Sequence, residues 1–217
     1  MINWSSIHTV LLDMDGTLLD LHFDNYFWQE HVPQRYAEKH QLDLPATHEF
    51  LSAKFKAAEG TLNWYCVDYW SVELGLDIPL LKQEIEHLIA VHPTVVEFLT
   101  ALKRAGKHTA LVTNAHGKSL QIKMRRTKLG PFFDQIISSH ELGLPKEDVR
   151  FWNKLQHRIP FESKHTLLID DSLPVLRSAQ HYGIAHLLAV YKPDTRRPDK
   201  DVGEFIALRN FTEIMPG

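Results

Sequence analysis

Two pairs of carboxylates stand at the ends of apolar runs: Asp13 and Asp15 in LLDMDGTLLD, and Asp170 and Asp171 in HTLLIDDS. In an open α/β sheet, ligands bind outside the carboxyl ends of the strands, so both pairs are expected to face one site. A spacing of two puts Asp13 and Asp15 on the same side of an extended chain, and Gly16 permits the sharp exit that follows. Two unit charges about 5 Å apart repel by roughly 3 kcal/mol at an effective dielectric of ~20. Four converging carboxylates therefore call for a cation. Oxygen donors with no nearby Cys or His cluster select Mg²⁺ over zinc.

Opposite charge and hydrogen-bond donors come from two further segments. LVTNAH ends an apolar run at Thr113, whose hydroxyl stands beside the backbone N–H groups of Asn114 and Ala115 and a helix N-terminus suited to phosphate oxygens. Lys146, read as the start of a helix in GLPKEDVRFW, offers a phosphate counter-charge.

Holding these groups together requires a sheet. The runs 7–13, 107–114, 135–139, 165–171 and 185–190 are rich in β-branched residues and leucine and read as buried strands. Between them, PTVVEFLTALKRAG, GKSLQIKMRRTKLG, PKEDVRFWNKLQHR and DSLPVLRSAQHYG carry helical stripes, with Gly106 and Gly183 at stop positions. This strand–helix rhythm predicts right-handed crossovers and an α/β doubly wound parallel sheet. Residues 1–18 and 93–217 form that core. Residues 19–92 carry no strand signal and read as helices over 23–41, 46–58, 61–75 and 79–90, punctuated by Pro45, Gly60, Gly75 and Pro79.

Length and composition agree. At about 150 residues per domain, 217 residues suit one domain carrying an insert. With 44% hydrophobic and 24% charged residues the chain can bury a core. The formal charge of −3 argues against a nucleic acid polymer as partner. Cys66 is the single cysteine, the N-terminal residues lack a signal-peptide pattern, and no run approaches the roughly 18 apolar residues of a membrane span. A cytoplasmic, membrane-free protein is expected. The 14 histidines occur as scattered singlets, from which no zinc constellation is expected.

The order DMDGT, Thr113, Lys146, IDDS resembles the four motifs of the haloacid dehalogenase (HAD) superfamily, across nearly the whole chain. The resemblance implies a Rossmann-like core with an inserted, all-helical cap of the first type, which closes over the leaving group. It implies a Mg²⁺-dependent phosphomonoester hydrolase. Asp13 is then the nucleophile that becomes an aspartyl-phosphate, and Asp15 the acid and later the base. Thr113 and Lys146 neutralise the phosphoryl group. Asp13, the Asp15 backbone carbonyl and the Asp170/Asp171 pair hold the metal. The dehalogenase branch lacks the acid at Asp15, which argues against carbon–halogen hydrolysis.

LDLHFDNYFWQ (19–29) and TLNWYCVDYWSVELGLDI (61–78), with VTNAHGKSL and GLPKEDVRFW, are similar to the bacterial purine 5′-nucleotidases that act on GMP and IMP. That likeness implies a purine nucleotide as the small-molecule partner. Stacking a base on an aromatic ring contributes about 1–3 kcal/mol. Asn25, Trp28, Asn63, Trp64 and Asp68 are the base-reading candidates, against the alternative that these rings only build the core of the insert. His116 faces either the phosphate and ribose or the surface at a helix start. A phosphatase or phosphomutase for a sugar phosphate, and a non-catalytic nucleotide-binding module, are the competing functions.

Overall fold

The computed structural model describes residues 2–217. β1 (Thr9–Leu12) leads straight into the turn Asp13–Leu18. The insert follows as α1 (His22–Tyr26), a π-helical turn (Phe27–His31), α2 (Val32–His40), α3 (Leu44–Ala58), a 3₁₀ turn (Leu62–Tyr65), α4 (Val67–Leu74) and α5 (Ile78–Glu84). The chain then alternates through α6 (Val95–Arg104), β2 (His108–Thr113), α7 (Gly117–Thr127), β3 (Gln135–Ser138), α8 (Ser139–Leu142), α9 (Val149–Arg158), β4 (Thr166–Asp170), α10 (Leu173–Tyr182), β5 (His186–Val190) and β6 (Ile206–Leu208).

All strands are parallel, in the order β3-β2-β1-β4-β5-β6. The expected doubly wound sheet is present, and its strand order reverses beside β1, where such sheets bind ligands. Each strand sends alternate side chains into two apolar layers. Leu11, Val112 and Leu168 meet Phe151 and Trp152 of α9 and Leu176 of α10 on one face. Val10, Leu12, Leu111 and Ile169 meet Phe98 and Leu102 of α6 on the other. That second layer continues through Met14 and Leu18 to Phe23, Phe27 and Trp70, so the insert shares a core with the sheet.

The insert's helices depart from the expected spans at three places. Pro33 has no N–H to offer the carbonyl one turn earlier, and the chain widens into the π turn over 27–31. Residues 61–75 split because the Trp70 indole donates to the Trp64 carbonyl and Cys66 caps α4 through its thiol. α5 stops at Glu84 and only a 3₁₀ turn continues it over Glu86–Leu88. β6 had no counterpart in the sequence reading, since three residues are too few to show a period of two. The two chain crossings into and out of the insert lie side by side: Leu19 bridges Val91, Asp20 N–H donates to Ala90 O, and His92 N–H to Leu18 O. No helix among the described residues is long and apolar enough to cross a membrane.

Candidate active site

Register places the motif residues. Leu12 is paired with Leu111 on one side and Ile169 on the other, so Asp13 emerges between Val112 and Asp170, with its N–H donating to Ile169 O at 3.0 Å. Lys146 is buried among them. Its ammonium donates to Asp13 Oδ1 at 2.5 Å, Asp170 Oδ2 at 2.7 Å and Val112 O at 3.1 Å. Lys146 lies in the loop between α8 and α9, whose first helical residue is Val149; the helix-start reading is corrected accordingly. A helix-start lysine would be solvated, whereas the loop turns this one inward under Asn114, whose Oδ1 accepts the Lys146 N–H at 3.0 Å.

Asp171 sits against the turn at Gly16, where φ is +86° and a Cβ would stand 2.8 Å from the Asp171 carboxyl carbon. Glycine is required there both for conformation and for space. One oxygen each of Asp13, Asp170 and Asp171 lies within 4.8 Å of the others. Burial, opposed by Lys146 and reinforced by Asp170, raises Asp13 to about 6. Burial, opposed by Lys200 and reinforced by Asp13, raises Asp171 to about 6 as well. Asp170 is raised for the same first reason. This set of hard oxygens, costly to ionise together, fits a divalent ion of the magnesium class.

Asp15 points elsewhere. Its Oδ1 is 2.7 Å from the ammonium of Lys123 on α7, and Lys123 also contacts Asp24 Oδ2 at 2.6 Å. Asp24, on α1 of the insert, takes a second buried lysine, Lys82 of α5, at 2.9 Å. Burial works against charge throughout this chain of four. At Asp24 the two ammoniums outweigh it and hold the carboxyl at about 2. At Asp15 burial wins over Lys123, with Asp24 and Asp13 adding to it, and the carboxyl rises to about 6.

The phosphate-binding candidates are engaged with one another. Thr113 is buried at the end of β2 and its Oγ1 accepts the Ala115 N–H at 3.0 Å, while Ala115 O accepts the Ser138 hydroxyl. Asn114 donates to Glu147 Oε2 at 2.9 Å, and Tyr65 of the insert donates to Glu147 Oε1 at 2.6 Å. Burial, then Glu147, pushes the Tyr65 phenol well above its usual range.

The insert candidates separate. Trp28 packs edge-on against Phe27 and Phe55 and beside Trp70, inside the aromatic core of the insert. Asn25 donates to Asp194 Oδ2 at 2.6 Å and ties α1 to the loop after β5. Asn63 is exposed, and Trp64 is partly buried with its ring edge-on to Phe55. Asp68 pairs with Lys118 at 2.6 Å and lies 3.7 Å from His116 Nε2, across the seam between insert and core. His116 caps α7, its Nδ1 accepting the Lys118 N–H. The structure thus gathers Asn114, His116 and Asp68 with Tyr65 along one edge of the strand ends, and commits Trp28 and Asn25 to other partners.

Sequence reasoning missed Lys123, Asp24, Lys82, Tyr65, Glu147 and Lys200. Lys200 donates to both the Asp171 carbonyl and its carboxylate. Only Glu147, adjacent to Lys146, had a local signal. Scattered histidines were expected to form no cluster; the fold corrects this by bringing His116 and His140 beside Cys66, because β2, β3 and the insert end at the same edge.

Comparison with known proteins adds family and fold. The haloacid dehalogenase-like hydrolase family matches residues 7–183. The chain is 40% identical over 215 residues to the GMP/IMP nucleotidase YrfG of Escherichia coli (strain K12), covering 99% of this chain and 97% of that protein. It is 21% identical to the pyrophosphatase PpaX of Bacillus velezensis, over 87% and 90% of the two chains. A HAD phosphatase from Thermococcus onnurineus superposes with a TM-score of 0.81 at 19% identity, over 96% of each chain. The HAD-hydrolase YfnB from Bacillus subtilis, bound to magnesium, superposes with a TM-score of 0.65 at 21% identity, over 96% of each.

Proposed function

We propose that this chain, which belongs to the haloacid dehalogenase-like hydrolase family, is a magnesium-dependent phosphatase that works through an aspartyl-phosphate on Asp13 and takes purine nucleoside 5′-monophosphates. The observation that carries the reading is the convergence of Asp13, Lys146, Asp170 and Asp171 at the reversal point of the sheet. The 40% identical GMP/IMP nucleotidase supports the purine substrate.

Asp13 supplies the attacking oxygen: its Oδ–P bond forms as the bond from phosphorus to the leaving oxygen breaks. Lys146 fixes the orientation of Asp13 through Oδ1 and places a full positive charge beside the transferring group. Asp15, raised to about 6, keeps a protonated fraction near neutrality and gives that proton to the leaving oxygen. It then accepts a proton from the water that attacks phosphorus and releases Asp13 and inorganic phosphate. Thr113 braces the turn after β2 by accepting the Ala115 N–H, which leaves the Asn114 N–H as the backbone donor for a phosphate oxygen. Asp13, Asp170, Asp171 and the Asp15 carbonyl would hold magnesium, which would supply positive charge against the phosphoryl oxygens. Residues 19–92 act as a lid that excludes water from the acyl-phosphate. Within the lid, Asn63 and Trp64 are the base-reading candidates left beside Tyr65 at the site's edge; Trp28 supports the lid's own core.

The test is phosphate release from a panel of esters, with and without a chelator. GMP and IMP should give the highest kcat/KM, and the chelator should abolish turnover. Sugar phosphates outrunning both nucleotides would overturn the purine assignment while leaving the phosphatase standing.

A further inference from the structure

We propose that Cys66, His116 and His140 form a binding site for a zinc-class transition-metal ion that staples the lid to the core. The three side chains come from three elements: Cys66 precedes α4 in the lid, His116 caps α7, and His140 lies on α8. One ligand atom of each lies within 4.8 Å of the others. Zinc–sulfur and zinc–nitrogen bonds of about 2.3 and 2.0 Å in a tetrahedron put ligand atoms about 3.5 Å apart, so closure needs side-chain movements of about 1 Å and the release of the 3.3 Å Lys118 N–H cap from His116 Nδ1, since a neutral imidazole has only one acceptor nitrogen to give. One thiol and two imidazoles are donors that select this class of ion over magnesium.

Two further observations point to a ligand. His140 Nε2 is buried without a hydrogen-bond partner, and the Asn114 backbone lies against the ring. A buried ring nitrogen with a free lone pair is what a metal ion can take as a ligand. Burial, and for His140 the neighbouring His116, holds both imidazoles below their ordinary range, His140 at about 4, so both are neutral near pH 7. Asp68, two residues after Cys66, is half exposed and 3.7 Å from His116 Nε2. By leaving Lys118 it supplies a fourth ligand, and with the Cys66 thiolate it balances a dication. His116 and His140 also line an open groove with Lys118, Gln121, Ser138 and Glu141, which gives the ion a path in.

The site differs from the magnesium carboxylates in donors and in consequence. Cys66 and Asp68 move with the lid while His116 and His140 stay with the core, so a bound ion resists opening. This consequence for turnover rests on the phosphatase reading; the binding itself does not.

The experiment is titration of the metal-free full-length protein with Co²⁺, followed by Zn²⁺ displacement, in excess Mg²⁺. One equivalent of Co²⁺ should give a near-ultraviolet thiolate-to-cobalt band and the strong visible bands of a four-coordinate ion, lost on adding Zn²⁺. Cys66→Ser should abolish the thiolate band, and His116→Gln and His140→Gln should each weaken Zn²⁺ binding at least about tenfold. Asp170→Asn should leave the bands intact. Zn²⁺ should raise the Tm of the parent but not of Cys66→Ser, and at one equivalent should lower kcat of the parent only. Absence of the cobalt bands in the parent, or their survival in Cys66→Ser, overturns the site. Bands without any rise in Tm overturn the staple. A protein that gives the bands but hydrolyses no ester refutes the phosphatase reading alone.

Discussion

The strand-end site and the seam between insert and core are built from the same kinds of charged side chain but in opposite ways. At the strand ends Asp13, Asp170 and Asp171 are delivered by backbone: register of β1 beside β4 sets them side by side, and a loop brings Lys146 down between Asp13 and Asp170. At the seam Asp24, Lys82, Lys123, Cys66, Asp68, His116 and His140 are delivered by helix packing, from α1, α4 and α5 of the insert and from α7 and α8 of the core. A site hung on a sheet edge tolerates changes in the layers around it. A site hung on packing between the insert and the sheet depends on how those two parts sit against each other. Asp15 belongs to both regions, since its backbone lies in the strand-end turn and its carboxylate is held by Lys123.

Substitutions can break that contrast, beginning with the largest effect. Asp13→Asn should lower kcat for phosphate release about 10⁴-fold or more while the Tm changes little; full activity would remove the nucleophile from the scheme. Next, Lys123→Met should lower kcat about 10²-fold, because the acid and base step loses the group that orients Asp15. Lys82→Met, one step further along the same buried chain, should destabilise the protein, by roughly 3 kcal/mol for a broken buried pair, yet leave kcat near the parent value. Equal kcat losses in both would mean that the seam is only structural.

Trp64→Ala should raise KM for GMP about tenfold, within the range that stacking on one ring supplies, and leave a small aryl phosphate unaffected. Trp28→Ala should instead lower the Tm, since its ring packs among Phe27, Phe55 and Trp70. The smallest effect is with pH. Asp13, Asp15 and Asp171 are each raised from 3.8 to about 6, so their protonated forms favour the fold below about pH 4 and that contribution is lost as the pH rises through about 6. If Mg²⁺ takes the place of protons at Asp13 and Asp171, as proposed, it should raise the Tm by more at pH 7.5 than at pH 5, measured by scanning calorimetry in both buffers.

Much of the fold is legible because β1 to β5 are short apolar runs followed by turns, and α6, α7, α9 and α10 each carry a helical stripe. Gly16, Gly106 and Gly183 all adopt the left-handed backbone expected of turn and stop positions. The departures have local causes that pattern does not show, such as the missing N–H of Pro33 and the Trp70 indole on the Trp64 carbonyl. Strand β6 and the loop before it fell outside the sequence reading, and with them Lys200 and Asp194, which hold Asp171 and Asn25.

What the sequence by itself determined is the order of the motifs: carboxylates two apart after an apolar strand, a glycine that permits the turn, a second pair after another strand, and the family to which that order belongs. These features are readable because backbone direction at a strand end is a local property. Tertiary structure alone decided that Lys146 lies in a loop between Asp13 and Asp170 rather than at a helix start, that Lys123 holds Asp15, and that Tyr65 rather than Trp28 reaches Glu147 at the site's edge. It alone brought one cysteine and two histidines together. The physical reason is that buried charges and free ring nitrogens acquire partners only through packing between elements distant in the chain, and no local spacing records which elements will meet.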